Sequence, residues 1–356
     1  MSTTSLLASA APTQERVLVI YTGGTIGMQP NVKGLAPGGN FQDRMADALG
    51  QLPILHQHAL PAYDVLSYAS LIDSSAATPL TWQQIANDIA THLTNYRGFV
   101  VIHGTDTLSW TASSLAYQLQ GIDRPVVLTG SMHPLETANS DAIGNLYGAL
   151  RFAANIELQE VAIYFANRLL RGSRAIKQHA ESLDAFISPS YPCIGERVGE
   201  DFIYYPSRGL GFQQRGAPRF ELSDYQVVSD GAVIRLALWP GIAPWQLEAL
   251  LGDSRVKGAL LQLWGAGNIP NDPAIIDVIA NASGEGKLLA AISQCPQGSI
   301  HMGEYAAGHG LTEAGLLSGD NMTPEAAFTK LVHLLAQPLP TDDRRQRFLT
   351  SLVGER

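Results

Sequence analysis

Cysteine is almost missing from this chain of 356 residues. Cys193 and Cys295 are the two present, and they do not form a C-x-x-C pair. That spacing argues against a disulfide framework and against a cysteine-based zinc site. Two buried thiols in a reducing compartment are the expectation instead. Charge is sparse as well: 15% of residues are Asp, Glu, Lys or Arg, the formal net charge is −9, and no long run of Lys and Arg occurs. Nucleic acid and anionic membrane both require a basic footprint, so neither is expected as a partner. No stretch approaches the ~18 apolar residues of a membrane helix. The leader MSTTSLLASAAPTQER lacks the basic start and apolar centre of a signal peptide, so residues 1–16 read as a flexible N-terminus and the expected location is cytoplasmic.

What the chain does have is apolar material, 46% of its residues, which suits a globular fold. Its length, set against ~150 residues per domain, suggests two domains. Short β-branched runs alternate with helix-like segments. VLVIYT, FVVIH, PVVLTG and VAIYFAN read as buried strands. TPLTWQQIANDIATHLTNY opens with a Thr-Pro start signal and places Trp82, Ile85, Ile89 and Leu93 near helical spacing. Buried strands separated by helices predict an α/β fold whose larger N-terminal domain, residues 17–208, holds a mostly parallel, doubly wound sheet. The alternation fails across GERVGEDFIYYPSRGLGFQQRGAPRFELSDYQ, and residues 209–227 read as a linker. Shorter alternation resumes over residues 228–356, predicting a smaller C-terminal α/β domain.

In an open parallel sheet, ligands bind beyond the carboxyl ends of the strands. The first strand runs into Thr22, Gly23, Gly24 and Thr25, the second into Gly104, Thr105, Asp106 and Thr107, and a later one into Ser131. Lys177 follows a fourth. Glycine and hydroxyls at a strand end suit either a phosphate cradle or a threonine nucleophile. TGGTIG does not spell G-x-G-x-x-G, the loop-like MQPNVKGLAPGGNF follows it rather than a helix, and no G-x-x-x-x-G-K-[ST] occurs. Singly, Gly23–Gly24 is also what a tight turn needs, and Thr105 or Asp106 is what a helix cap needs.

Taken together, YTGGTIGM and HGTDTLSWTASSL resemble the two signature motifs of the bacterial-type L-asparaginases. LIDSSAATP, LTGSMHPL, NSDAIGNLYGAL, RGSRAIKQHAESLDAFISP and QCPQGSIHMGEYAAG match in order, over nearly the whole chain. The likeness is greatest to the cytoplasmic, type I branch. It implies hydrolysis of L-asparagine to L-aspartate and ammonia without cofactor or metal. By motif, it makes Thr25 the nucleophile, with Thr105, Asp106 and Lys177 as its relay. It also places Gly24, Asp73, Ser74, Ser75, Gly104 and Ser131 around the substrate, the serines on the α-carboxylate and Asp106 on the α-ammonium. Homodimers or homotetramers are implied too. The chemistry is consistent with these roles: an amide is a poor electrophile, and a threonine hydroxyl needs a positioned proton acceptor, which a desolvated lysine provides.

Two departures stand out. The family's tyrosine on the loop after TGGTIG is replaced, with Leu35 at about its position, so the activation of Thr25 needs another proton path, or the loop serves as an apolar lid. The arginine that some members use for a second, activating asparagine is Gln262 here, and Ile176 is apolar, so activation is expected to be weak or absent. A glutaminase–asparaginase of mixed specificity and a catalytically weak amino-acid sensor are the alternatives. The amidase subunit of a tRNA-dependent amidotransferase is less expected, because it carries an extra domain ahead of the first threonine motif. His103 reads as a strand residue rather than a base. His56, His58, His301 and His309 lack metal-ligand spacing. Trp239 and Trp245 read as core or an oligomer contact, and Cys295 as a buried structural thiol.

Overall fold

A computed structural model describes residues 15–32, 34–302 and 310–356. Residues 1–14, and the GEYAAG part of the last matching motif, lie outside the described residues. Arg16, at the end of the segment read as a flexible N-terminus, is buried and pairs with Asp64, its Nη2 2.7 Å from Oδ1. The partner lies 48 positions away, which no local pattern reveals.

β1 (Val17–Tyr21) is fully buried, as a β-branched run between two neighbours must be. The 3₁₀ turn Thr25–Gly27 follows. The expected loop after it is instead an antiparallel hairpin, β2 (Met28–Asn31) with β3 (Gly34–Pro37). Both strands are largely exposed, so no apolar alternation marks them. Next come α1 (Phe41–Gly50), α2 (Ile54–Ala59) and β4 (Tyr63–Ser67). α3 (Pro79–His92) starts at the predicted Thr-Pro, with Thr78 N donating to Thr81 Oγ1, and it buries Trp82, Ile85 and Ile89. β5 (Gly98–Ile102), α4 (Leu108–Gln118), β6 (Val126–Thr129), α5 (Ala142–Ala153), β7 (Val161–Phe165) and β8 (Arg168–Arg171) continue the alternation.

After β8 the chain makes a small pair, β9 (Ile176–Lys177) and β10 (Phe186–Ile187), then a hairpin, β11 (Gly195–Val198) and β12 (Asp201–Tyr204). The large sheet runs β12-β11-β8-β7-β6-β5-β1-β4, parallel from β7 to β4 and antiparallel from β8 outward. The last hairpin falls where the sequence pattern fades: β12 is the edge strand, alternating exposed with half-buried residues, and need not be apolar.

The smaller domain is a parallel sheet of β13 (Val233–Ala237), β14 (Gly258–Leu263), β15 (Leu288–Ser293) and β16 (Leu317–Ser318). The short α6 (Phe212–Arg215) precedes it. α7 (Pro244–Leu251), α8 (Pro273–Gly284), α9 (Pro324–Ala336) and α10 (Thr341–Leu349) surround it. Among the described residues no helix is long and apolar enough to cross a membrane.

The two domains are joined by α4 against α9, where Tyr117 Oη donates to Ala326 O at 3.1 Å. A polar joint lies beside them. Glu221 accepts from Arg347 Nη2 at 2.7 and 2.9 Å and from Gln337 Nε2, and it contacts His333 Nε2 at 2.9 Å. Burial pushes the Glu221 carboxyl up, but the hydrogen bonds from His333 and Arg347 outweigh it and hold the group at about 2.

Candidate active site

The chain passes from β1 to β4 on one side, then returns to β5 on the other and builds outward through β6 and β7. The crevice at such a reversal lies beyond the ends of β1 and β5. Both threonine motifs are there. Gly24 and Gly104 pack backbone to backbone: a Cβ on Gly24 would stand 2.6 Å from Gly104 N, and Gly24 has φ +97°. A Cβ on Gly104 would stand 2.4 Å from Ser74 Oγ, which brings the Asp-Ser-Ser loop to the same place. Glycine is required at Gly24 because the main chain at Gly104 leaves no room for a Cβ and φ is positive, and at Gly104 because the Ser74 side chain fills that space.

Each strand-end loop is tied to the next. Thr22 Oγ1 donates to Ile102 O at 2.8 Å, linking β1 to β5. Thr107 Oγ1 donates to Ser74 O at 2.7 Å. His103, just past β5, is buried. Its Nδ1 lies 2.8 Å from Gly104 O and its Nε2 3.1 Å from Thr111 Oγ1. A carbonyl only accepts, so Nδ1 carries the proton, and burial lowers the imidazole pKa, favouring the neutral ring. His103 therefore braces Gly104.

Lys177 on β9 reaches into this crevice. Its Nζ donates to Thr105 Oγ1 at 2.8 Å and to Asp106 Oδ1 at 2.7 Å. Thr105 is buried and Lys177 half-buried, while the Asp106 side chain is 64% exposed, leaving a carboxylate face for a further partner. Thr25 is half-buried in the turn that follows Gly24. Among the described residues no side-chain hydrogen bond involves its hydroxyl.

The remaining expected residues differ in what they offer. Ser74 is buried and Ser75 exposed. Asp73 caps their turn, its Oδ1 accepting from Ser75 N at 3.0 Å, and that backbone bond lowers its carboxyl pKa. Ser131 is buried but turns into its own loop, where Oγ donates to His133 O. That loop is held by Asp141, which accepts from Met132 N at 2.9 Å and His133 N at 3.1 Å, and by Asn145 Nδ2, which donates to Gly130 O at 3.0 Å. Sequence reasoning gave Asp141, Asn145 and Thr107 no role. The motif NSDAIGN was the available signal for the first two.

A cavity of about 260 Å³ adjoins Lys177 and is lined also by Ile176, Gln262, Ser293 and Cys295. Cys295 is exposed and Cys193 intermediate, so neither is the buried thiol expected from composition. Arg235 also lines the cavity, its Nε donating to Gln262 Oε1 at 2.8 Å. Trp239 and Trp245 are 40% and 68% exposed, which excludes a core role within the chain. Among the described residues no three His, Cys, Asp or Glu stand together as metal ligands do.

Residues 16–208 match the family described as Asparaginase, N-terminal, and residues 232–348 match the Glutaminase/Asparaginase C-terminal domain. The chain is 36% identical over 347 residues to L-asparaginase 1 of Escherichia coli K12, covering 96% of this chain and 98% of that one. It is 35% identical to the 60 kDa lysophospholipase of Mus musculus, over 98% of this chain and 64% of the mouse protein. Among solved structures it resembles L-asparaginase I of Vibrio cholerae, with a TM-score of 0.85 and 34% identity over 96% of this chain and 99% of that one. Two domain matches that together cover most of the chain, and a crevice shared by both threonine motifs, lead to one conclusion: the chain belongs to the L-asparaginase family, alongside the type I enzymes.

Proposed function

We propose that the chain is an amidohydrolase that converts L-asparagine to L-aspartate and ammonia through a threonine nucleophile. The observation that carries this is the Lys177 amine held between Thr105 Oγ1 and Asp106 Oδ1 beside the Gly24–Gly104 contact. Thr25 Oγ attacks the carboxamide carbon while its proton passes to the Thr105–Lys177 relay. The oxyanion that forms is met by backbone N–H groups at the glycine-flanked strand ends. The C–N bond breaks, and the nitrogen takes the relayed proton and leaves as ammonia. Water then attacks the resulting ester, releasing aspartate and restoring Thr25. The exposed carboxylate of Asp106 receives the substrate's α-ammonium, while Ser74 and Ser75 receive its α-carboxylate. No metal or cofactor takes part.

The name of the second matching domain favours one further reading, mixed asparagine and glutamine specificity. Ammonia release measured on both amides tests the proposal. Turnover of asparagine that disappears in Lys177→Met supports it, equal rates on glutamine select the mixed reading, and tight aspartate binding without turnover refutes hydrolysis in favour of a sensor.

The chain acts as a homodimer or homotetramer in the cytoplasm. The exposed Trp239 and Trp245 support self-association, and two unpaired cysteines support a reducing compartment. Second-site activation is weak or absent, because Gln262 stands where the resemblance expects the activating arginine and Ile176 beside it is apolar. A hyperbolic saturation curve is expected, and a strongly sigmoidal one contradicts this.

A further inference from the structure

Among the described residues the Thr25 hydroxyl makes no side-chain hydrogen bond, and the turn that carries it is held through its backbone. Three hydrogen bonds hold it. Leu135 N, in the loop after β6, donates to Ile26 O at 3.1 Å. Gly38 N, at the far end of the β2–β3 hairpin, donates to Gly27 O at 3.0 Å. Arg44 Nη1, from the first turn of α1, donates to the same Gly27 oxygen at 3.0 Å.

Arg44 does more than fill one lone pair. Nη1 also reaches Gly39 O at 3.4 Å, so one guanidinium spans both ends of the hairpin. Its other edge faces Glu136, with Nη2 donating to Oε2 at 2.7 Å and Nε to Oε1. Glu136 adjoins Leu135, which already holds Ile26. Space has been left for this arrangement: a Cβ on Gly38 would stand 2.5 Å from Arg44 Nη1. The Arg44 side chain is 14% exposed and Glu136 48%. A lone pair of that exposure contributes little to stability, but a bidentate guanidinium that also binds main-chain oxygens fixes geometry.

We infer that Arg44 and Glu136 form a positioning clamp that locks the Thr25 turn and the mouth of the hairpin to the loop after β6. The inference rests on the proposed role of Thr25. Asparagine loses the productive approach of the nucleophile, rather than its binding contacts, when the clamp is cut.

The test is a double-mutant cycle of Arg44→Met and Glu136→Gln in the full chain, with Arg44→Lys beside it. Asparagine kcat and KM, melting temperature and amide hydrogen exchange over residues 25–39 are measured. Arg44→Met is expected to lower kcat ~10- to 100-fold, the scale of a small misplacement of a reacting group, with KM changed less. The melting temperature should fall by no more than ~4 °C. Exchange at residues 25–27 should rise, the Glu136→Gln effect should be smaller and non-additive, and Arg44→Lys should recover only part of kcat. Unchanged exchange in Arg44→Met, or additive single effects, overturns the clamp. A wild-type chain without asparagine turnover refutes the proposed reaction instead, and exchange then decides the clamp alone.

Discussion

The two threonines of the crevice are held in opposite ways. Thr105 is buried, and its hydroxyl meets the Lys177 amine directly. Thr25 is half-buried, and the contacts that place it fall on the carbonyls of Ile26 and Gly27. One is positioned through its side chain by charge, the other through its main chain by a turn. The first arrangement tolerates little change in side-chain identity. The second tolerates little change in loop geometry. Leu35, on the hairpin where the resemblance expects a tyrosine, belongs to the second side, and the proposed Arg44 clamp stands on that side too.

The largest test of this contrast is removal of each hydroxyl. If the proposed relay holds, Thr105→Val, Lys177→Met and Thr25→Val each lower turnover at least ~10³-fold, and the double Thr25→Val/Thr105→Val variant little further, because residues of one relay act as a unit. Ammonia release by the purified, folded variants checks this. Near-normal rates in Thr25→Val alone would move the nucleophile to the charged side and break the comparison.

A smaller effect is expected at Ser74. Ser74→Ala should raise KM about 10-fold with kcat less affected, as expected for one hydrogen bond to a charged group. An equal loss in kcat would show that the serine acts in the chemical step.

Acid sharpens the contrast further, provided unfolding is separated from chemistry. Glu221 in the joint between the domains has its folded pKa depressed to about 2 from 4.5. It therefore contributes stability that is fully present above pH 4.5 and lost as pH falls toward 2. The melting temperature of the native chain should drop across that interval, and Glu221→Gln should lower it at pH 7 while flattening the slope. The smallest effect concerns Glu136, whose carboxyl is lowered by the hydrogen bond from Arg44. The clamp should be intact above pH 4.5 and weaken only as the pH falls through the lower folded value. Intrinsic-rate-corrected exchange at residues 25–27 should thus be flat between pH 8 and 5. A break near neutrality would place another titrating group on the Thr25 side.

Legibility in the sequence follows the same division. The buried strands were readable because two-sided burial demands continuous apolar runs, and Val17–Tyr21 and Gly98–Ile102 are such runs. Thr105, Asp106 and Lys177 were nameable because the resemblance supplied motifs around them. Their meeting, between residues 71 and 72 positions apart, is a product of the sheet order. What no local pattern spells out is exposed or long-range. The hairpin over residues 28–37 carries Gly and Pro on largely exposed strands, that over 195–204 carries Gly and charge on partly exposed ones, and their signature is pairing. Arg44 and Glu136 look like ordinary surface charges until α1 and the β6 loop bring them together across 92 positions. Asp141 and Asn145 act on main-chain groups, which no motif spells out.

The bare contact between Gly24 and Gly104 has a bearing on how the protein can vary. A saturation library scored for hydrolysis should find its least forgiving positions there, at residues that carry no functional group at all. Selection searching for new amide substrates is thus confined to the walls of the crevice, since its floor is already as small as the genetic code permits.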